Sequence, residues 1–371
     1  MDVIGIICEY NPFHLGHLYH INKIKQMYPD SILIAVLSSS FTQRGDISVL
    51  NKWDKTEIAL DNGIDLVIEL PFVYSTQSAD IFAKGALTIL NALKVNKIVF
   101  GSESNNIDNL KEIANTQLSN KEFNKNVKKY LSLGNNYPTS LSLALKDLGL
   151  NKIDSPNDLL GISYIKEIIK NNYFINPISI KRTNNFYGKN KGKIKSASEL
   201  RGLLNKNKSI SRYINYDKKL IYKNLNYFNL LKFQIINNDI SNILDVDEGI
   251  ENKILKVIND CSTLEELQEK IKSKRYTYNK LNRMLTHILC NLKKDDKDLP
   301  IDYIRVLGFN TKGKNYLNKI KKDLALTLVT KYKDTNSKLL DIEKKVTNVY
   351  SIITNDNSLI IKEKEKPIFK K

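Results

Sequence analysis

Apolar runs recur through the first 105 residues with amphipathic stretches between them. VIGIICEY (3–10) is a β-branched run bounded by Asn-Pro and predicts a buried strand. Residues 18–27 predict a helix, and SILIAVLSSS (31–40) a second apolar strand ending in small polar residues. KWDKTEIALDNG (52–63) predicts a helix stopped by Gly63, and DLVIELP (65–71) a third strand ended by Pro71. An amphipathic helix over 78–93 leads to a fourth strand, KIVFGSE (97–103). Continuous apolar strands separated by helices predict a parallel sheet covered on both faces. Ligands of such a sheet bind beyond the carboxyl ends of its strands, near the point where strand order reverses. NPFHLGH, SSSFTQRGD and GSE each follow a strand directly, so they are expected to converge on one site.

The pattern then changes. Residues 106–150 predict helices. SPNDLLGISYIKEII (155–169) predicts another, with Ser155 as cap, Pro156 at the first position and Asp158 in the first turn. FINPISIKR (174–182) predicts a strand whose rim is reached at Lys181 and Arg182, and FYGKNKGKIK (186–195) a mobile loop. SASELRGLL (196–204) opens a helix with Ser at the cap and Glu three residues on, a capping-box pattern. From about 210 the chain reads as mostly helices rich in Lys, Asn and Tyr, ending in a tail, KEKEKPIFKK (362–371), expected to fray. The expected division is a Rossmann-like α/β parallel-sheet domain over 1–205 and a mostly helical, basic region over 206–371.

Charge sharpens that division. Residues 1–150 hold 14 Lys and Arg against 15 Asp and Glu, a balance of −1; residues 151–371 hold 44 against 25, a balance of +19. Lys, Asn and Ile are abundant throughout, the bias of an AT-rich genome, yet only the later part is basic. A polyanion such as RNA is the expected partner of that part. No apolar stretch approaches the roughly 20 residues of a spanning helix, and the first apolar run lacks a basic leader, so no membrane association is expected. Cys8, Cys261 and Cys290 are far apart with no CxxC, which suits a reducing cytoplasm.

Three of the four histidines, His14, His17 and His20, lie within seven residues directly after the first strand. A metal site is one reading, with Glu9 and Cys8 nearby; chance is another. Gly16 and the position after strand one favour a third. HxGH (His14 to His17) is a pattern in which two imidazoles at a helix start contact a triphosphate and stabilise charge as pyrophosphate leaves, the glycine admitting the phosphates. No metal ligand set is assigned. Far downstream, KIKSASELR (193–201) is similar to the ISSTxxR element of adenylyl-transferring enzymes, in which Ser196, Ser198 and Arg201 would reach the same phosphates.

EYNPFHLGHLYH, SSSFTQRGD, NKWDKTEIAL, GIDLVIELPFVYSTQSADIFAKGAL, FGSES, SPNDLLGISYIK, IKR and KSASELR stand in the order of the bacterial tRNA(Met) cytidine acetate ligase family, which the chain resembles densely over 1–205. DYIRVLGFNTKGKNYL (302–317) is similar to that family's C-terminal part. The resemblance implies a nucleotidyltransferase-like (HUP-type) domain with an appended helical RNA-binding region. It implies activation of acetate by ATP, with Mg²⁺ on the phosphates, and N4-acetylation of the wobble cytidine of elongator tRNA(Met). It implies an ATP-binding segment from Ile7 through Cys8, Glu9, Tyr10, Asn11, Pro12, Phe13, His14, Leu15, Gly16, His17, Leu18 and Tyr19 to His20, joined by Gly101, Asn157 and Arg182. His14, His17, Ser196, Ser198 and Arg201 are the expected catalytic set. Gln43 and Arg44 are candidates for contact with acetate, phosphate or RNA. No protein partner is expected. Two other classes remain open on the residues alone: a small-molecule adenylyltransferase, which needs no basic region, and a non-catalytic RNA-binding protein, which needs no histidines.

Overall fold

The structure, a computed structural model, describes residues 1–150, 155–182, 194–223, 225–332 and 335–371. Eight strands form one sheet: β1 (Val3–Cys8), β2 (Ile32–Ser38), β3 (Leu66–Leu70), β4 (Lys97–Ser102), β5 (Asn176–Lys181), β6 (Tyr303–Asn310), β7 (Thr327–Val329) and β8 (Ile368–Lys370). Their order is β5-β4-β1-β2-β3-β6-β7, with β8 also on β6. The first five are mutually parallel, as their uninterrupted apolar runs require. β2 shows why the runs are continuous. Ile32, Ile34 and Val36 enter one core, and Leu33, Ala35 and Leu37 the core on the opposite face. Strand order reverses between β1 and β4, which puts the crevice for a ligand at their carboxyl ends.

The helices stand where the pattern put them, with small shifts at the ends. The first is a turn longer than expected (Leu15–Met27), and others run Lys52–Asp61, Ala79–Ala92, Pro156–Lys170 and Ala197–Asn205. The expected loop 186–195 lies mostly outside the described residues.

Residues 206–371 are rich in helices, among them Tyr278–Cys290 and Lys338–Thr354, but also supply three strands. β6 pairs antiparallel with β3, with a bulge between Val67 and Ile68. The expectation of a frayed tail is overturned. Ile368–Lys370 pairs with Gly308–Asn310, and Lys370 Nζ sits 2.8 Å from Glu57 Oε1 and 3.0 Å from Asp61 Oδ1. A buried charge cluster joins the same parts. Lys52 Nζ donates to Glu69 Oε1 (2.7 Å) and Glu363 Oε1 (2.8 Å). Glu343, 0% exposed, accepts from the Ser39 hydroxyl after β2 (2.5 Å) and from the Phe72 backbone N–H after β3 (2.8 Å). Buried charges survive folding only when paired in this way. Among the described residues no helix is long and apolar enough to cross a membrane.

Candidate active site at the carboxyl ends of the strands

β1 ends at Cys8, and six residues later His14 caps the helix Leu15–Met27. The cap is reciprocal. Gly16 N–H donates to His14 Nδ1 (3.0 Å), and His14 N–H donates to His17 Nδ1 (3.2 Å). The two rings stack with centroids 3.8 Å apart. Because both Nδ1 atoms accept, each neutral ring carries its proton on Nε2 and is a donor there. Burial holds the rings neutral: it lowers His14 to about 4, with the Arg182 charge adding to it, and lowers His17 well below the usual range. His20, one turn on, is also lowered to about 4 by burial, and its Nε2 has no hydrogen-bond partner among the described residues. Gly16 has a reason the sequence did not reveal. A Cβ there would lie 2.7 Å from His14 Cε1 and 2.9 Å from His14 Nδ1, so the glycine makes room for the ring.

On the β4 side the expected nucleotide contacts meet around a residue the sequence reading passed over. Glu103 Oε1 accepts from Asn157 Nδ2 (2.5 Å) and lies 3.5 Å from Arg182 Nε, while Glu103 Oε2 accepts from the Asp158 N–H (3.3 Å). Arg182 Nη1 also donates to Asn157 Oδ1 (3.4 Å). A Cβ on Gly101 would meet the Arg182 side chain at 3.3 Å. Asn157 and Arg182 are therefore held before any ligand arrives.

On the β2 side, Thr42 to Asp46 form a tight turn. Gly45 has a φ of +83°, and a Cβ there would fall 2.6 Å from the backbone of Asn282 and Arg283. Thr286 Oγ1 donates to Gly45 O (2.8 Å) and Asn282 Nδ2 to Asp46 Oδ1 (3.3 Å), docking the turn on the helix Tyr278–Cys290. Arg201 closes the ring, donating from Nη1 to Asn11 O (2.8 Å) and from Nη2 to Asp46 Oδ2 (3.3 Å). Ser196 is a cap: its hydroxyl donates to Glu199 Oε2 (2.9 Å) and accepts from the Glu199 N–H (3.3 Å). Ser198 is exposed. Gln43 N–H donates to Glu9 Oε1 (2.5 Å), and its side-chain amide donates to Gln77 O. Lys55, 1% exposed, ties the strand ends together by donating to Glu9 O (3.1 Å), Ser38 O (2.6 Å) and Ser39 O (2.7 Å).

Most of the expected site residues line one cavity of about 1320 Å³. It takes in Ile7 to Asn11, His14, Gly16, His17, Tyr19, His20, Gln43, Arg44, Gly101, Asn157, Arg182, Ser196, Ser198 and Arg201. Pro12, Phe13, Leu15 and Leu18 are not in the lining; Phe13 is core, and its carbonyl accepts from Tyr216 OH (3.1 Å). The opposite wall holds residues no motif announced: Arg275, Thr277, Asn279, Lys280 and Arg283. Their only sequence signal was the regional charge. Among the described residues no group of three or more His, Cys, Asp or Glu could hold a metal ion.

The profile of the HIGH nucleotidyl transferases matches residues 1–365. The chain is 38% identical to the tRNA(Met) cytidine acetate ligase of Caldicellulosiruptor saccharolyticus, over 100% of this chain and 99% of that one. It is 40% identical to the tRNA(Met) cytidine acetate ligase of Fusobacterium nucleatum subsp. nucleatum, over 86% of this chain and 85% of the relative. The crystal structure of Thermotoga maritima TmcAL bound with alpha-thio ATP superposes with a TM-score of 0.89 at 28% identity, covering 100% of this chain and 99% of that one. With likeness of this extent along its whole length, the chain belongs to the tRNA(Met) cytidine acetate ligase family of the HIGH nucleotidyl transferases.

Proposed function

We propose that the protein is an ATP-dependent ligase of the cytoplasm that acetylates the wobble cytidine of elongator tRNA(Met) to N4-acetylcytidine. An acetate oxygen attacks the α-phosphorus of ATP, the new O–P bond forms, and pyrophosphate leaves. Acetate is ionised at pH 7, so this step needs no base. The protein supplies position and oriented donors. The Nε2–H groups of His14 and His17 face the phosphates, with Ser198, Arg201 and the Ser196 turn closing over them. The segment Ile7–His20 follows the nucleotide, Gly101 and Asn157 hold its adenosine end, the Arg182 fork takes a phosphate, and Gln43 and Arg44 are within reach of acetate, phosphate or RNA. Mg²⁺ brought with the ATP would neutralise charge developing on the phosphates. Residues 1–205 carry the ATP chemistry and 206–371 the RNA contact.

The reading is carried by one observation: the stacked histidine pair, Arg201 and the cationic side chains Arg275, Lys280 and Arg283 line a single cavity. A triphosphate and a polynucleotide can thus reach the same space. The test is incubation of the purified protein with ATP, labelled acetate and bulk tRNA, followed by nucleoside analysis. Labelled N4-acetylcytidine that requires both ATP and acetate is the expected product. Transfer of AMP to a stable small molecule, with tRNA unmodified, would overturn the reading.

A further inference from the structure

Glu9 is out of place for a residue of a triphosphate site. A carboxylate only accepts hydrogen bonds and repels both ATP and acetate, yet it lines the cavity directly after β1. Its surroundings turn it away from the nucleotide side. Oε1 accepts from the Gln43 N–H at 2.5 Å, and Gln43 follows β2, on the side of β1 opposite to β4. That is the side on which the Thr42–Asp46 turn docks against the helix bearing Lys280 and Arg283. Glu9 lines the same cavity as Lys280 and Arg283, into which an RNA nucleotide would arrive. The one reacting group there with protons to give is an exocyclic amine.

We propose that Glu9 is the general base of the acetyl-transfer step. The proposal rests on the function proposed above. The N4 lone pair of the cytosine attacks the acetyl carbonyl carbon of acetyl-adenylate, and a C–N bond forms. The C–O bond to the phosphate breaks, AMP leaves with that electron pair, and an N4 proton passes to Glu9.

The groups facing Glu9 are Lys55 from the helix Lys52–Asp61, Asp46 from the turn, Arg201 from the helix Ala197–Asn205, Tyr164 from the helix Pro156–Lys170, and Cys8 beside it. Burial raises the Glu9 carboxyl above the ordinary carboxylate value and Asp46 adds to this, while the Gln43 N–H, Lys55 and Arg201 oppose it. A base raised in this direction is better matched to proton transfer near neutral pH.

Glu9→Gln separates this role from a structural one, because the amide keeps an oxygen for the Gln43 N–H. Enzyme, ATP and labelled acetate are premixed to build acetyl-adenylate, trapped in one aliquot with hydroxylamine. A tRNA(Met) transcript is added to another, and single-turnover acetylation is followed from pH 5.5 to 8.5. E9Q is expected to slow acetyl transfer from preformed adenylate by about 10²–10³-fold and to remove the acid limb of its pH profile, adenylate formation being read separately from the trapped hydroxamate. E9D is expected to retain the acid limb, and ATP binding with an unchanged melting midpoint shows that each variant is folded. Transfer by E9Q within threefold of wild type, or equal loss of both steps, overturns the assignment. Wild-type enzyme that forms no adenylate or leaves the tRNA unmodified sinks the functional reading itself, a result separable from failure of Glu9.

Discussion

The wall formed by the ends of β1, β4 and β5 carries three histidines held neutral, with Arg182 pinned between Glu103 and Asn157. The wall formed by the helix Tyr278–Cys290 and the turn before it presents Arg275, Lys280 and Arg283. Both are read as facing anions, yet one uses oriented neutral donors and the other fixed charge. A small ligand that must be held in one geometry profits from short-range donors fixed before it binds. A long polyanion profits from a field reaching across a Debye length of about 8 Å in physiological salt.

The largest expected effect comes from removing a neutral donor. His14→Ala or His17→Ala should lower acetate-dependent pyrophosphate release by about 10²–10³-fold, the scale of one lost charge-stabilising donor. Turnover close to wild type would dissolve the contrast between the walls. Gly16→Ala tests whether ring position matters as much as ring presence. Its Cβ must push the His14 ring aside, and a loss of about tenfold or more in the same assay is expected. On the opposite wall, replacing Arg275 and Lys280 by Gln should weaken tRNA binding by roughly tenfold. The salt slope should drop by about 0.7–0.9 per lost phosphate contact. An unaltered slope would remove that wall from the RNA surface.

A separate effect is on stability. His14 and His20 titrate near 4 in the native state and at the ordinary histidine value in the unfolded chain. The unfolded state therefore binds protons first as pH falls, and the native state loses stability between about pH 6.5 and pH 4. The loss from His14 is on the order of 2 kcal/mol by pH 5. Urea unfolding at pH 7.5 and pH 5 measures it. His14→Asn should shrink the difference, and a pH-independent midpoint would show that the rings are hydrated.

Much of the site was legible because each polar cluster directly follows a strand, and strand ends of a parallel sheet share one side. The Asn157–Arg182 contact was half legible: both residues stood out, but Glu103, which joins them, looked like an ordinary residue of a strand-end loop. The glycine of HxGH was legible as a requirement, but not the crowding against the His14 ring that a Cβ there would cause. β6 was missed because its partner, β3, lies more than 230 residues earlier and no local signal marks an antiparallel pairing of that separation. The tail looked soluble from KEKEK, while the pairs that fix it, Lys370 with Glu57 and Asp61 and Glu363 with Lys52, are long-range. The burial of Lys52 and Lys55 on the helix Lys52–Asp61 is likewise set by tertiary structure.

The antiparallel strand β6 has a consequence for synthesis. A ribosome that stalls at about residue 300 has made all five parallel strands, yet the nascent chain still shows β3 as a bare edge and leaves Lys52 and Glu69 without Glu363. Such an edge invites pairing with other chains. Completion of the sheet is thereby tied to residues 303–370, and a chain cut short before them keeps an open β3 edge.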